Sequence, residues 1–261
     1  MNIIVCIKQV PETTEIKINP QTNTLIREGV ESIINPYDQY ALEEALRLKE
    51  KMGGDTTVIT MGPPQAEKAL REALSLGIDQ AILLSDPLFA GADTLSTSFT
   101  LAKGINKIAK YDLIICGKQA SDGDTAQVGP GLAEFLGIPF VAYVRKIRQI
   151  TDTSLQVERM MEEGFEAIEL SLPALITVVK EINEPRLPSL KGMLRARKAA
   201  LTKWGVKELG VSEEAVGLKG SPTKVVRIFT PPLREKGEMI PGLPREQAAR
   251  LVEKFRQEKL L

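Results

Sequence analysis

The residues Gly117-Lys118-Gln119-Ala120-Ser121-Asp122-Gly123-Asp124-Thr125-Ala126-Gln127-Val128-Gly129-Pro130 have the composition of a ligand loop between a buried strand and a helix. Small residues let main chain approach a ligand closely, and Ser121 and Thr125 offer hydroxyl donors. The helix that follows adds free N–H groups and a positive partial charge. A pyrophosphate suits that donor set. Asp122 and Asp124 oppose it, because carboxylates repel phosphate unless they cap a helix or turn to ribose hydroxyls. Capping falls to Asp124 or Thr125, and Asp122 is left without a role. The segment is neither a Walker loop nor a G-x-G-x-x-G fingerprint, so a nucleotide site and a Gly-rich structural turn both stay open. On the first reading, bulk at Gly123 or Gly129 fills space that phosphates need.

Histidine is absent from all 261 residues, which removes the commonest general base, the Ser-His and Cys-His dyads and most transition-metal sites. Redox or transfer chemistry must then come from a cofactor. A nucleotide-hydrolysing enzyme of the PP-loop type lacks support too, since no Ser-Gly-Gly loop is present. Cys6 and Cys116 each end a Val/Ile-rich run and are expected as buried, reduced strand residues, with no disulfide. Lys plus Arg and Asp plus Glu balance at 34 each, so no global field recommends nucleic acid or an anionic membrane. No basic leader precedes the first apolar run and no run reaches the roughly 18 residues of a membrane span, from which a cytoplasmic protein is expected.

The elements that must position the loop follow from periodicity. Residues 3–7, 57–61, 81–84 and 113–116 are short apolar runs bounded by Gly, Pro, Asp or Ser, as in strands buried on both faces of a parallel sheet. Helical stripes lie between them: Tyr37, Ala41, Ala45, Leu48 and Met52; Ala66, Leu70, Ala73 and Leu74; Leu95, Phe99, Ala102, Ile105 and Ala109 behind an Asp93 cap; and Val128, Leu132 and Phe135 before Gly137. The β-α alternation predicts an α/β fold, a mainly parallel sheet with helices on both faces, whose ligands bind at the strands' carboxyl ends. The turns Asn35-Pro36-Tyr37-Asp38 and Met61-Gly62-Pro63 are expected at the same edge.

From Phe140 to Lys180 the period changes to two. Residues 155–159 and 165–170 alternate around Glu162-Glu163-Gly164, an antiparallel hairpin before a last buried strand at 174–179. Next comes a Pro-bounded basic stretch in which Leu187, Leu190, Met193 and Leu194 interleave with Lys191, Arg195, Arg197 and Lys198. It reads as a helix with a solvated basic face or as a protruding anchor whose exposed leucine enters a partner's pocket. The domain is placed at 1–203, and 204–261 is read as a C-terminal arm ending in a helix near 245–259.

Several motifs taken together resemble the electron-transfer flavoprotein beta (small) subunit family. They are Val5-Cys6-Ile7-Lys8-Gln9-Val10-Pro11, Asn35-Pro36-Tyr37-Asp38, Met61-Gly62-Pro63, Gly117-Lys118-Gln119 and Asn183-Glu184-Pro185-Arg186, in order from Met1 to about Lys203. The most specific match is Val157-x-Arg159-x-x-Glu162-Glu163-Gly164-x-Glu166 followed by Leu172-Pro173-Ala174-Leu175-Ile176-Thr177.

The resemblance implies an adenine nucleotide alpha hydrolase-like fold, an obligate heterodimer with an alpha subunit that carries FAD, and a nucleotide site in this chain. That site would use Cys6, Asn35, Pro36, Tyr37, Asp38, Met61, Gly117, Lys118, Gln119, Ser121, Asp122, Gly123, Asp124, Thr125, Ala126, Gln127, Val128 and Gly129, holding FAD or AMP. Residues 123–130 are similar to the electron-bifurcating branch, which favours FAD. There NADH gives two electrons to the beta-site flavin, one passing to a low-potential acceptor such as ferredoxin or flavodoxin and one to an acyl-CoA-type or other flavin dehydrogenase. The alternatives are a single-electron carrier with AMP and a non-redox adenine-nucleotide scaffold. By register the docking anchor is Leu190, with Lys191, Met193 and Arg195 beside it, and the C-terminal arm crosses to the alpha subunit.

Overall fold

The computed structural model describes residues 1–12, 18–19, 24–25, 32–108, 110–226 and 237–261. The chain divides into two compact units, Met1–Arg227 and Ile228–Leu261. The first unit opens with β1 (Asn2–Cys6), β2 (Gln9–Pro11), β3 (Ile18–Asn19), β4 (Thr24–Leu25) and β5 (Ser32–Ile34). There follow α1 (Pro36–Met52), β6 (Asp55–Met61), α2 (Glu67–Leu76), β7 (Gln80–Leu84), α3 (Thr94–Ile108), β8 (Leu113–Gly117) and α4 (Val128–Leu136). It is completed by β9 (Phe140–Ile150), β10 (Ser154–Met161), β11 (Gly164–Ser171), β12 (Ala174–Val178), α5 (Leu190–Lys198), β13 (Thr202–Trp204) and α6 (Val206–Leu209).

Nine strands form one sheet in the order β11-β10-β9-β12-β8-β1-β6-β7-β13. Every pairing from β9 to β13 is parallel, and β9-β10-β11 is antiparallel. This is the α/β fold expected from the alternation. The chain leaves β1 for β6 and β7 on one side, then returns to place β8 on the other, so the sheet's topological switch point lies between β1 and β8. Ligand crevices open at such a point.

Successive side chains of a strand face opposite ways. Ile3, Val5 and Ile7 therefore pack with Ala41, Leu42 and Ala45 of α1 and Leu70 and Ala73 of α2, while Ile4 and Cys6 pack with Leu101 and Ile105 of α3 and Leu132 of α4. Fully burying each large aliphatic contributes about 1.5–3 kcal/mol, so both faces are held by their helices. Cys6 and Cys116 sit opposite each other in register, buried and without a disulfide.

Three features differ from the sequence expectations. In α3 the buried face is Ser96, Ser98, Thr100, Leu101, Ala102, Gly104 and Ile105; Leu95 is exposed and Phe99 meets Phe135 edge-on at 5.6 Å. The hydroxyls of Ser98 and Thr100 donate to the carbonyls of Thr94 and Ser96 one turn back, so these polar residues are buried with partners, and Gly104 lets Ile59 and Leu84 approach. Ala109 lies outside the described residues. Second, β9 is an eleven-residue strand with no alternating pattern to announce it, and it makes the hairpin three-stranded. Third, the compact unit continues past residue 203 to Arg227: β13 pairs with β7, and Trp204, Val206, Leu209, Val211 and Val216 pack on the α3 side. The second unit carries α7 (Pro244–Gln257), with Pro at its start and the Leu243 N–H donating to the Glu246 carboxylate.

Candidate functional site

The carboxyl ends of β1, β8, β6 and β12 share one edge, and α1 begins there. Pro36 opens the helix, where its missing N–H costs nothing. Asn35 accepts no cap bond from its own helix; its side chain spans to the 118–127 loop, donating to the Gln119 carbonyl at 2.8 Å and accepting from the Ser121 N–H at 3.0 Å. Asp38 turns inward beneath the loop and accepts the Lys8 N–H at 2.7 Å. Burial pushes its carboxyl up to about 7, against hydrogen bonds from Asn35, Lys8 and Gly117 and the Lys8 charge, all of which favour the ionised form. Gly117 is required here because a Cβ would lie 2.3 Å from the Asp38 Oδ1 and 2.7 Å from the Tyr37 carbonyl carbon. Behind them, the hydrogen bond with Cys6 and burial raise the Cys116 thiol, which stays neutral.

The loop itself resolves the objection raised by its carboxylates. Asp122 is bound at both oxygens by the Lys8 ammonium, at 2.6 and 2.8 Å, and Asp124 accepts from the Gln119 amide. Neither Asp124 nor Thr125 caps α4: the cap position is Gln127, whose side chain makes no cap hydrogen bond and instead accepts from Thr94. The first-turn N–H groups of α4 are therefore not consumed by a capping side chain. Asp124 (φ 53°) and Ala126 (φ 54°) hold left-handed backbone, and Ala126 is followed by Gln127 in the right-handed region. Alternation of this kind can aim consecutive N–H groups at an anion. Strain stored in two non-glycine residues is typical of ligand loops.

Lys118 emerges from β8 with its ammonium 5.9 Å from the Tyr37 ring centre and 5.4 Å from that of Tyr143. Among the described residues it rests on these rings and pairs with no carboxylate. Tyr143 reaches that place through a bulge in β9 between the Val141–Ile176 and Val144–Val178 pairs, with φ 60° and its N–H donated to the Thr177 hydroxyl. Beyond Lys118 a cleft of about 710 Å³ opens toward the β10–β11 hairpin, lined among others by Tyr143, Arg159, Met160, Phe165 and Val179.

Cys6, Asn35, Pro36, Tyr37, Asp38 and residues 117–129 thus gather at the switch point. Met61 is half-buried at the end of β6, packed toward α3, and is placed by its strand more than by the loop. Lys8 and Tyr143 were not among the residues singled out from the sequence. Lys8 had a signal, since it follows β1 by two residues; a left-handed tyrosine in a bulge had none.

The two loop glycines have different surroundings. A Cβ at Gly123 meets nothing within 4 Å, whereas at Gly129 it would lie 2.5 Å from the Thr177 methyl on β12. Bulk at Gly129 acts on the packing of α4, and only Gly123 retains the space argument. Gly129→Ala is expected to cost about 1–3 kcal/mol in thermal or denaturant unfolding. Gly123→Leu is expected to leave unfolding unchanged while lowering bound nucleotide; equal loss of stability in both variants would refute the distinction.

At the other end of the first unit, Leu190 starts α5 and is 71 % exposed, and Lys191 and Met193 are exposed beside it. Arg195 differs: its guanidinium donates to the Leu74 and Ile78 carbonyls at 2.8 and 3.1 Å, satisfying the carboxyl end of α2. It fastens the helix and leaves the exposed face to its neighbours.

Residues 22–209 match the family described as electron transfer flavoprotein domain. Over 256 residues, 98 % of each chain, the sequence is 54 % identical to the electron transfer flavoprotein subunit beta of Thermoanaerobacterium thermosaccharolyticum. The chain belongs to the electron transfer flavoprotein family, as a beta subunit. It is also 51 % identical over 263 residues, the whole of both chains, to the caffeyl-CoA reductase-Etf complex subunit CarD of Acetobacterium woodii. Against protein FixA of Bradyrhizobium diazoefficiens the identity is 48 % over 241 residues, covering 90 % of this chain and 84 % of the relative. Electron transfer is therefore the process in which the chain takes part, as a beta subunit. Among the described residues no helix is long and apolar enough to cross a membrane.

Proposed function

We propose that the chain binds FAD at the switch-point loops and, paired with an alpha subunit that carries a second FAD, takes part in electron bifurcation from NADH. The observation that supports this most is the state of the 118–127 loop. Its two carboxylates are engaged by Lys8 and Gln119, the start of α4 has no side-chain cap, and among the described residues Lys118 presents a cation held by aromatic rings and by no carboxylate. Such a donor set fits a dinucleotide's phosphates, and the adjoining cleft has room for a planar ring.

Flavin bound there supplies the two-electron to one-electron conversion. The residues of this chain would position it: Asn35 and Lys8 hold the loop, Gly117 lets the start of α1 pack close beneath it, and the β10–β11 hairpin lines the cleft. One electron would go to a low-potential acceptor such as ferredoxin or flavodoxin and the other through the alpha-subunit FAD to a flavin dehydrogenase. The name of CarD, a subunit of a caffeyl-CoA reductase-Etf complex, supports a dehydrogenase of the acyl-CoA type. Membership of an electron-transfer family removes the ground for a non-redox scaffold.

Co-expression with the large subunit, followed by release and chromatographic counting of nucleotides, tests the reading. Two FAD and no AMP per heterodimer are expected; one FAD and one AMP would make this a single-electron carrier, and neither nucleotide would overturn both. For docking, Leu190→Ala is expected to raise the dehydrogenase concentration needed for half-maximal electron delivery by about tenfold, with flavin content intact. An unchanged concentration dependence would end the anchor assignment.

A further inference from the structure

We propose that Arg186 is a positioning residue for the docking segment and that Leu187 acts with Leu190 as a second apolar anchor; this rests on the docking reading above. Arg186 reaches back to α1 from the residue just before the exposed leucines. Its Nε and Nη2 donate to the two Glu43 oxygens at 2.8 and 3.0 Å, its Nη1 and Nη2 to the two Glu50 oxygens at 2.5 and 3.1 Å, and its backbone N–H to Glu43 at 3.1 Å. Arg47 adds a bond to Glu43 from within α1, and Asn183 donates to the Tyr40 carbonyl and the Glu44 carboxylate, both at 3.0 Å. The recurrence of 40, 43, 44, 47 and 50 places all these partners on one helix face.

Glu43 is a side chain only 4 % exposed. Burial works against its ionisation, yet Arg186 and Arg47 hold the carboxyl below its ordinary range, so it is a charged socket whose two oxygens both accept from Arg186, with Oε1 shared by Arg47. The far side of the segment is fixed as firmly. Gly192 of α5 abuts the Ser75 carbonyl, where a Cβ would come within 2.1 Å, Ser189 caps α5 through the Gly192 N–H, and Arg71 donates to the Ala196 carbonyl at 2.7 Å.

Between these two moorings Leu187 is 91 % exposed and Leu190 is 71 % exposed. Pro188 stiffens the few residues that join them. A short, doubly tethered segment whose main function were packing would turn its leucines inward, yet its tethers are polar and its apolar groups face outward. Such an arrangement spends ordering entropy before the encounter, which is how a small apolar surface binds a partner usefully. The occupant is an apolar pocket on a dehydrogenase of the acyl-CoA type, the class that the name of CarD, a subunit of a caffeyl-CoA reductase-Etf complex, supports as the partner, with exposed Lys191 at the rim.

The test uses the heterodimer and a flavin dehydrogenase, with amide hydrogen exchange over residues 186–192 and electron delivery measured against dehydrogenase concentration. Arg186→Ala is expected to speed exchange in that segment and raise the half-saturating concentration about tenfold, at unchanged maximal rate and flavin content. Arg186→Lys, which keeps charge and loses the fork, should fall between. Leu187→Ala is expected to raise half-saturation without altering exchange. If Leu190→Ala raises half-saturation and neither Arg186 variant changes exchange or half-saturation, the clamp is overturned while docking stands; an unchanged Leu187→Ala overturns the second anchor. If Leu190→Ala is itself without effect, the docking reading fails and the clamp has nothing to position.

Discussion

Gly117→Ala is expected to destabilise the protein by about 3 kcal/mol and to empty the switch-point site, because the new methyl has nowhere to go. Its Cβ would stand 2.3 Å from the Asp38 Oδ1, 2.7 Å from the Tyr37 carbonyl carbon and 2.8 Å from the Asp38 nitrogen. Two of those three atoms are main chain in the first turn of α1, so no rotamer change relieves the contact. Either β8 or the start of α1 must shift, and Asn35, which bonds both Gln119 and Ser121, shifts with it. For a chain of this size the loss corresponds to a fall of roughly 6–12 °C in thermal midpoint. Melting curves and nucleotide counts on Gly117→Ala beside Gly123→Ala decide the matter, since the second adds a methyl to open space. A Gly117→Ala protein that melts with the parent and keeps its nucleotide would refute the close packing described.

The second large effect is a pH dependence removed by Asp38→Asn. The carboxyl's ordinary value is 3.8 and burial raises it to about 7, so the folded state prefers the protonated form. The stability this confers is complete below about pH 4 and is lost as pH rises through about 7. A rise of that size corresponds to about 4 kcal/mol of change in stability across the window. Asparagine is uncharged throughout and still accepts the Lys8 N–H with its carbonyl oxygen. The variant is therefore expected to gain stability relative to the parent as pH rises from about 4 to about 7, and parallel profiles for the two proteins would contradict a neutral, buried Asp38.

The repeating architecture was legible because burial on two faces leaves a simple record. Runs such as Ile3-Ile4-Val5-Cys6-Ile7 have no polar face to offer solvent, and the stripes at Ala41, Ala45 and Leu48 or Leu70, Ala73 and Leu74 have one apolar side each. The α3 stripe is legible at Ala102 and Ile105, which are buried, and incomplete elsewhere, because Ser98 and Thr100 are buried with their hydroxyls bonded to the helix itself, which hydropathy does not register. The compact unit runs past the expected boundary at 203 for a related reason: Trp204, Val206 and Leu209 are too widely spaced to announce an element, and they pack where β13 joins the edge at β7.

By its residues alone the chain determined the β-α alternation, the loop that had to lie at the strands' carboxyl ends, the absence of histidine chemistry and the family to which its motifs belong. These follow from local propensity and from which side chains avoid water. Only the tertiary structure decided that Lys8 binds Asp122, that Asp38 sits beneath Gly117, that Gly129 faces Thr177 and that Arg186 is clamped by Glu43. Each joins residues far apart in the chain through charges or close contacts only a few ångströms long, and such distances exist only once the strands have taken their order in the sheet.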